Sequence, residues 1–206
     1  LGQTFSQLGA ARLVIVDGRS DDDHALAQIA GRDALVRLRL DDVAPELATE
    51  PDRASPSDIA YVLFTSGTTG VPKAIKTSHA PLVHFVEWYA ARFAADARAR
   101  FSMLSGLAHD PVLRDVFVPL SVGAELHIPE QATLLAPRAL FEWVDRARVT
   151  HVHGTPQLFG LLVTGRPPGD RLAHVQYFFS GGDALRRGRA LDLLDAASGS
   201  TVVNFY

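Results

Sequence analysis

The sequence predicts an α/β fold of largely parallel sheets flanked by helices, and three observations carry that prediction. Short apolar runs rich in Val, Ile, Leu and Phe alternate with longer amphipathic stretches at the spacing of βαβ units. Most runs stop on small or polar residues: the Thr/Gly stretch after Phe64, His153-Gly-Thr155, Ser180-Gly-Gly-Asp183, and Asn204 onward. In open parallel sheets ligands sit at the carboxyl ends of strands, so these ends point to one cleft. Hydrophobic residues at 47% against 21% charged residues supply a substantial core to cover such a sheet on both faces.

In chain order, residues 1–11 read as the end of a helix and 13–17 as a buried strand, followed by a polar turn over 18–23. Residues 21–31 have weak helical periodicity. Residues 35–40 alternate arginine with apolar side chains, as an edge strand would. Residues 41–57, rich in Pro and acids, form a surface connection. Tyr61 to Phe64 is a short buried strand, and 74–76 resume an extended pattern after the Thr/Gly loop. Ser78 is placed to cap a helix with Pro81 in its first turn, running to about Ala95 with Leu82, Phe85, Val86, Tyr89 and Phe93 on one face.

Residues 101–105 are a strand ending at Gly106, and 110–121 a helix with Val112, Val116, Phe117 and Leu120 facing inward. A strand at 124–128 is bounded by Gly123 and Pro129. An amphipathic helix over 137–148 presents Leu140, Phe141 and Val144. Then come a strand at 149–155, a short helix from Pro156 to Val163, a polar turn at 165–171 and a strand at 174–180. A Gly181-Gly182-Asp183 turn, a helix over 184–197 and a strand from Thr201 to Tyr206 complete the chain.

Composition excludes several classes. A net charge of -3 with scattered arginines gives no support for a nucleic-acid partner. The absence of cysteine removes disulfides and thiolate chemistry and fits a reducing compartment. No apolar run approaches the length of a membrane span and no signal segment opens the chain, so the cytoplasm is the default location. His151 and His153, two apart on one strand face, permit metal ligation, but sequence places no third ligand. Arg186, Arg187 and Arg189 read as a solvated helix face. Ser105 and Ser180 lack the elbow that a hydrolase nucleophile needs.

The most informative stretch is Thr65-Ser-Gly-Thr-Thr-Gly-Val-Pro-Lys73. Gly67 and Gly70 accept positive φ, so backbone N–H groups can wrap an anion beside the hydroxyls of Thr65, Ser66, Thr68 and Thr69. Lys73 adds a mobile positive charge suited to phosphate oxygens. The glycine spacing and Pro72 differ from a Walker loop, which opens a helix. A Gly/Thr-rich hairpin without a ligand is the competing reading of this composition.

The complete string resembles the phosphate-binding signature of the adenylate-forming superfamily: acyl-CoA synthetases, luciferases and adenylation domains of nonribosomal peptide synthetases. The resemblance extends from about Leu13 onward. His109-Asp-Pro-Val-Leu-Arg-Asp-Val-Phe-Val-Pro-Leu-Ser-Val-Gly-Ala124 matches the length and end of a second signature of the peptide-synthetase adenylation domains. There the family's aspartate, which grips the substrate α-amino group, falls on Asp110. Asp110 also stands where it would cap the helix that Pro111 opens, and the two roles are compatible.

His109 replaces a usual aromatic residue; it either contacts the substrate carboxylate, as a catalytic group beside Lys73, or is an ordinary packed or gating ring. Arg114 replaces a usual pocket tryptophan; it either reaches an acidic group on the substrate or pairs with Asp115 and faces solvent. The resemblance puts Pro111, His153, Phe179, Gly181 and Phe205 in the substrate pocket, with two phenylalanines hinting at a small side chain. It puts Gly181, Gly182, Asp183, Asn204 and Tyr206 against adenine, Tyr206 stacking on the base.

What the resemblance implies is ATP-dependent activation of an amino acid as an aminoacyl-adenylate, with release of pyrophosphate. Transfer to the phosphopantetheine thiol of a peptidyl carrier protein would follow. ATP and Mg²⁺ would be required, with no metal ligand placed among these residues. The chain starts as though partway through a helix and ends as though inside a strand. We therefore expect residues 1–206 to be part of the large N-terminal domain of an adenylation enzyme, working with a small C-terminal subdomain and inactive alone. An acyl- or aryl-CoA ligase acting on a carboxylic acid shares the Thr/Gly loop, and Asp110 argues against it. A non-catalytic nucleotide-binding module is the alternative of a different class.

Overall fold

The polar punctuation of the sequence falls between regular elements. The computed structural model describes residues 13–16, 35–38, 54–65, 73–106 and 109–205. The chain divides into two compact units, residues 1–80 and 81–206.

In the first unit, strands β1 (Leu13–Val16) and β2 (Leu35–Leu38) pair in parallel, Leu13 opposite Leu35. Strands β3 (Ile59–Thr65) and β4 (Lys73–Ser78) form an antiparallel ladder whose last pair is Thr65 opposite Lys73. The loop between them is therefore a hairpin connection with both stems fixed in register. Ser66, Gly67, Thr68, Thr69 and Gly70 lie outside the described residues, as do the expected helix end at 1–11, the turn at 18–23 and the helix at 21–31. Helix α1 (His79–Arg92) follows β4 directly. Ser78, expected as its cap, is the last residue of β4. The amides of His79 and Ala80 donate instead to the carbonyls of Asp58 and Pro56, which satisfies two of the orphan donors at a helix start.

The second unit holds a five-stranded, all-parallel sheet in the order β6-β5-β7-β8-β9. Its strands are β5 (Arg100–Ser102), β6 (Glu125–His127), β7 (His151–Gly154), β8 (Tyr177–Ser180) and β9 (Thr201–Asn204). Helices α2 (Pro111–Ser121), α3 (Gln131–Leu135), α4 (Pro137–Arg146), α5 (Pro156–Thr164) and α6 (Arg187–Ala196) occupy the connections. The α/β prediction holds. The observed strands are shorter than the apolar runs, and α3 is an additional element where no helix was expected, five residues long and without a buried side chain.

Period-two alternation splits the core into two clusters. Val152 of β7 and Phe178 of β8 turn toward α4, α5 and α6, where they meet Leu140, Phe141, Val144, Phe159, Leu162 and Leu193. Phe101 and Phe179 turn to the other face, against Val86, Tyr89, Phe93 and Val118. The periodicity of α1 and α4 was therefore read correctly for Tyr89, Phe93, Leu140, Phe141 and Val144.

Helix α2 departs from its expected face. Phe117 and Leu120, expected inward, are 44% and 61% exposed, while Asp115, Val118 and Pro119 are buried. The buried stripe follows i, i+3, i+4 from a carboxylate, a residue that hydrophobic counting cannot recruit to a core.

Gly165 ends α5, its amide donating to the Leu161 carbonyl. A Cβ there would fall on the backbone carbonyl of Pro137, at the start of α4. We expect Gly165→Ala to destabilise the protein by roughly 1–3 kcal/mol, the range for overpacking against structure that cannot yield. Gly188→Ala, where a Cβ meets nothing within 4 Å, is expected to be neutral or slightly stabilising. Urea denaturation of both variants checks the pair; equal midpoints would contradict the close α4–α5 approach.

Candidate functional site

Strand order creates the site. The chain passes from β5 outward to β6, whereas β7, β8 and β9 extend the sheet on the opposite side of β5. The order thus reverses between β5 and β7, and the connections leaving the carboxyl ends of these strands diverge, which opens a crevice. A cavity of about 490 Å³ lies there. Leu104, Ser105 and Gly106 beyond β5, Gly154 and Thr155 at the end of β7, and Gly181 and Gly182 beyond β8 line it. The N-terminus of α2 contributes His109, Asp110, Pro111 and Arg114. The volume suits a small organic ligand.

Local sequence fixes each wall. Thr155 caps α5 by accepting a hydrogen bond from the Leu158 amide at 3.2 Å, which turns the chain away from β7. Gly182 has φ of +82°, a left-handed conformation that side chains disfavour. Pro111 opens α2 at a position where its missing N–H costs nothing. Asp110 occupies the cap position but with helical backbone angles and no capping hydrogen bond. Its exposed carboxylate is therefore not engaged in the cap, and it stands beside exposed His109 on the cavity wall.

Arg114, one turn further along α2, is pinned. Its Nε and Nη2 donate to Asp115 Oδ1 at 3.0 and 2.8 Å, and its side chain is only 14% exposed. The pairing with Asp115 expected from sequence is present, but it draws Arg114 into the wall of the cavity and not to open solvent. Asp115 is fully buried. Burial pushes its carboxyl above the usual range, while Arg114 and Ser105 oppose that shift.

On the other side, His153 Nδ1 lies 3.4 Å from Asp115 Oδ1, and His153 Nε2 lies 2.8 Å from the Tyr89 hydroxyl. Burial holds His153 well below the ordinary histidine value, with Arg114 and His151 adding to the effect. Burial also raises the Tyr89 phenol, so its hydroxyl stays protonated. The neighbouring His151 is stacked on Phe101 at 4.4 Å between ring centroids, and burial pushes it down to about 4.

The structure therefore gathers His109, Asp110, Pro111, Arg114, Gly181 and Gly182 on one cavity. His153 and Phe179 are buried, at 0% and 1% exposure, and do not line it. Phe205, partly exposed, stacks on Phe179 at 5.6 Å. The Asp183 carboxylate accepts from Gln157 and from the Ala184 amide, and it borders a different, open cavity beside α6. Asn204 closes β9, Lys73 opens β4 as an exposed residue, and Tyr206 lies outside the described residues. Among the described residues no three His, Asp or Glu side chains cluster as a metal site, and no helix is long and apolar enough to cross a membrane.

Sequence reasoning missed the buried Tyr89–His153–Asp115 chain. The available signal was an Arg-Asp pair inside an otherwise apolar helix, facing a strand with histidines at alternate positions.

Comparison with known proteins gives a consistent result. The profile of the AMP-binding enzyme family matches residues 6–206. An L-2-aminoadipate reductase of Schizosaccharomyces pombe is 36% identical over 151 residues, covering 73% of this chain and 10% of that protein. A linear gramicidin synthase of Brevibacillus parabrevis is 31% identical over 172 residues, 79% of this chain and 2% of that protein. This chain thus spans a tenth or less of the length of these relatives. Among solved structures, the AMPPNP-bound form of the nonribosomal peptide synthetase FmoA3 superposes with a TM-score of 0.75 at 26% identity, covering 98% of this chain and 27% of that one.

The buried histidines set an acid limit on stability. Unfolded, each takes a proton near pH 6.5, whereas folded each resists it, His151 down to about 4. The unfolded chain then binds more protons, so stability rises with pH across that window. Asp115 acts in the opposite sense, because its raised value makes its contribution largest in acid and lost as pH rises. Two groups against one leave a net loss on acidification from pH 6.5 toward 4, up to about 1.4 kcal/mol per pH unit for one uncompensated histidine. Urea denaturation at stepped pH checks this; a flat profile over the window would mean that the histidines are solvated.

Proposed function

This chain belongs to the AMP-binding enzyme family, and from that premise we propose that it activates an amino acid at the expense of ATP. It would do so as part of the large N-terminal domain of an adenylation enzyme completed by a small C-terminal subdomain. The substrate carboxylate would attack the α-phosphate of ATP, forming the aminoacyl-adenylate as pyrophosphate leaves. The acyl group would then pass to the phosphopantetheine thiol of a carrier protein.

The carrying observation is the pair of opposite charges on one cavity, Asp110 and Arg114, both from α2. An α-ammonium group finds its counter-charge in Asp110, a demand that a plain fatty or aryl acid does not make. Arg114 offers a planar donor set to a second carboxylate. The relatives named as L-2-aminoadipate reductases support an acidic side chain, since 2-aminoadipate is an amino acid with a second carboxyl group. This reading differs from the small side chain at which Phe179 and Phe205 hinted; Phe179 is buried and does not line the cavity.

In this reading Thr65, Ser66, Gly67, Thr68, Thr69, Gly70 and Lys73 hold the β- and γ-phosphates. The Thr65–Lys73 pair that ends the β3–β4 ladder supports it, because it brings the two ends of this stretch together. Mg²⁺ would offset phosphate charge as pyrophosphate departs. Gly181 and Gly182, with Asn204 and Tyr206, would take the adenine. His109 would approach the reacting carboxylate.

Amino-acid-dependent ATP–pyrophosphate exchange by the full-length protein tests the proposal, screened across the common amino acids and L-2-aminoadipate. Exchange is expected with an acidic amino acid. Asp110→Ala should lower kcat/KM by about 100-fold or more through loss of a charge-assisted contact. Lys73→Ala should lower kcat by a similar factor through loss of charge at phosphorus. Exchange confined to carboxylic acids without an α-amine would move the chain to the acyl ligases. No exchange with either class would leave residues 65–73 as a binding loop.

A further inference from the structure

A guanidinium that selects a side-chain carboxylate must be held still, and the means of holding Arg114 lies inside the sheet face. Asp115 Oδ1 receives Nε and Nη2 of Arg114 at 3.0 and 2.8 Å. The same oxygen lies 3.4 Å from His153 Nδ1, a close packing contact without hydrogen-bond geometry. Both Arg114 contacts fall on that one oxygen, and Ser105 supports the same carboxylate. Arg114 Nη1 takes no part in the pair, although Arg114 lines the cavity.

His153 is itself oriented. Its Nε2 lies 2.8 Å from the hydroxyl of fully buried Tyr89. That hydrogen bond fixes the ring plane in either tautomer and leaves Nδ1 turned to Asp115. Tyr89 on α1, His153 on β7 and Asp115 on α2 thus form a chain of groups that ends at Arg114. Its three anchoring residues are each fully buried.

We propose that Asp115, packed against the hydrogen-bonded Tyr89–His153 pair, is the positioning residue that fixes the Arg114 guanidinium for recognition of a second carboxylate on the amino-acid substrate. This role rests on the amino-acid activation proposed above. Asp115 acts only through Arg114 and touches no substrate. With its Nε–Nη2 edge already occupied, Arg114 has Nη1 to present to the cavity without searching rotamers. The ordering cost of a long side chain is met at folding and not at binding. A hydrogen-bonding site of this kind rejects the analogue that cannot complete it, so discrimination falls when the donor is loosened.

The test uses the full-length protein and the acidic amino acid that serves best in the exchange screen, against its side-chain amide. Asp115→Asn keeps the shape and removes the charge. It should lower the acid-to-amide ratio of kcat/KM by about tenfold or more, through KM for the acid, with kcat for the amide within about twofold of the parent. Tyr89→Phe removes one hydroxyl and should lower the ratio by about threefold. That variant carries the test if Asp115→Asn does not fold.

Adding Asp115→Asn to Arg114→Gln should change the ratio no further, because the first residue works through the second. An unchanged ratio in both Asp115→Asn and Tyr89→Phe would overturn the role, as would equal loss of kcat for acid and amide, or additivity in the double variant. A parent protein that prefers neutral amino acids would refute acid selection while leaving amino-acid activation intact. A parent with no exchange at all would remove the activation reading itself.

Discussion

A parallel sheet covered on both faces reaches solvent only at its ends and edges, and this constraint arranges the second unit. Every strand of β6-β5-β7-β8-β9 runs the same way, so all carboxyl ends lie on one side. Chemistry-bearing residues gather there because polar groups placed mid-strand need partners inside the core. The reversal of strand order between β5 and β7 decides where along that side the crevice opens. Gly154, Thr155, Gly181 and Gly182 keep the rim low, and α2 brings the charged wall.

Against that rule, one face of the sheet contains a polar chain. His151 and His153 alternate with Val152 along β7, so a single strand serves an apolar cluster on one side and a titratable one on the other. Burying a carboxylate and a partly buried guanidinium is an expensive way to gain stability. Desolvation can cancel the attraction, and apolar replacements of equal volume are often no worse. The arrangement makes physical sense when the ion pair has a task besides cohesion. Here it places a cation on a cavity wall while its counter-ion remains out of reach of any ligand.

The fold was legible wherever local pattern and tertiary environment agree. Periodicity finds helix α4, which keeps Leu140, Phe141 and Val144 on one buried face. It fails at α2, because apolar counting puts Phe117 and Leu120 inward whereas the fold buries Asp115 with Val118 and Pro119. A charge enters a core only when distant partners come to meet it, and Tyr89 and His153 are 26 and 38 positions away in sequence. Gly181 and Gly182 were legible at a strand end, whereas Asp110 and Arg114 were named through the resemblance; all four line the cavity. His153 stood in a strand-end motif and Phe179 was named through the resemblance; alternation along β7 and β8 buries both side chains.

The two charges on the cavity are unequal in what they can contribute. Asp110 is exposed, and a pair between exposed charges is worth only about 0–1 kcal/mol in water. Its interaction with an ammonium group grows only as a bound substrate displaces water from the cavity. Arg114, 14% exposed and already oriented, works in a lower dielectric and loses little freedom when it meets an anion. The amine contact thus defines the kind of molecule admitted, whereas the side-chain contact discriminates among such molecules. A site built this way should lose activation of amino acids as a class when the exposed carboxylate is removed, and lose only discrimination among them when the buried carboxylate that no substrate touches is changed.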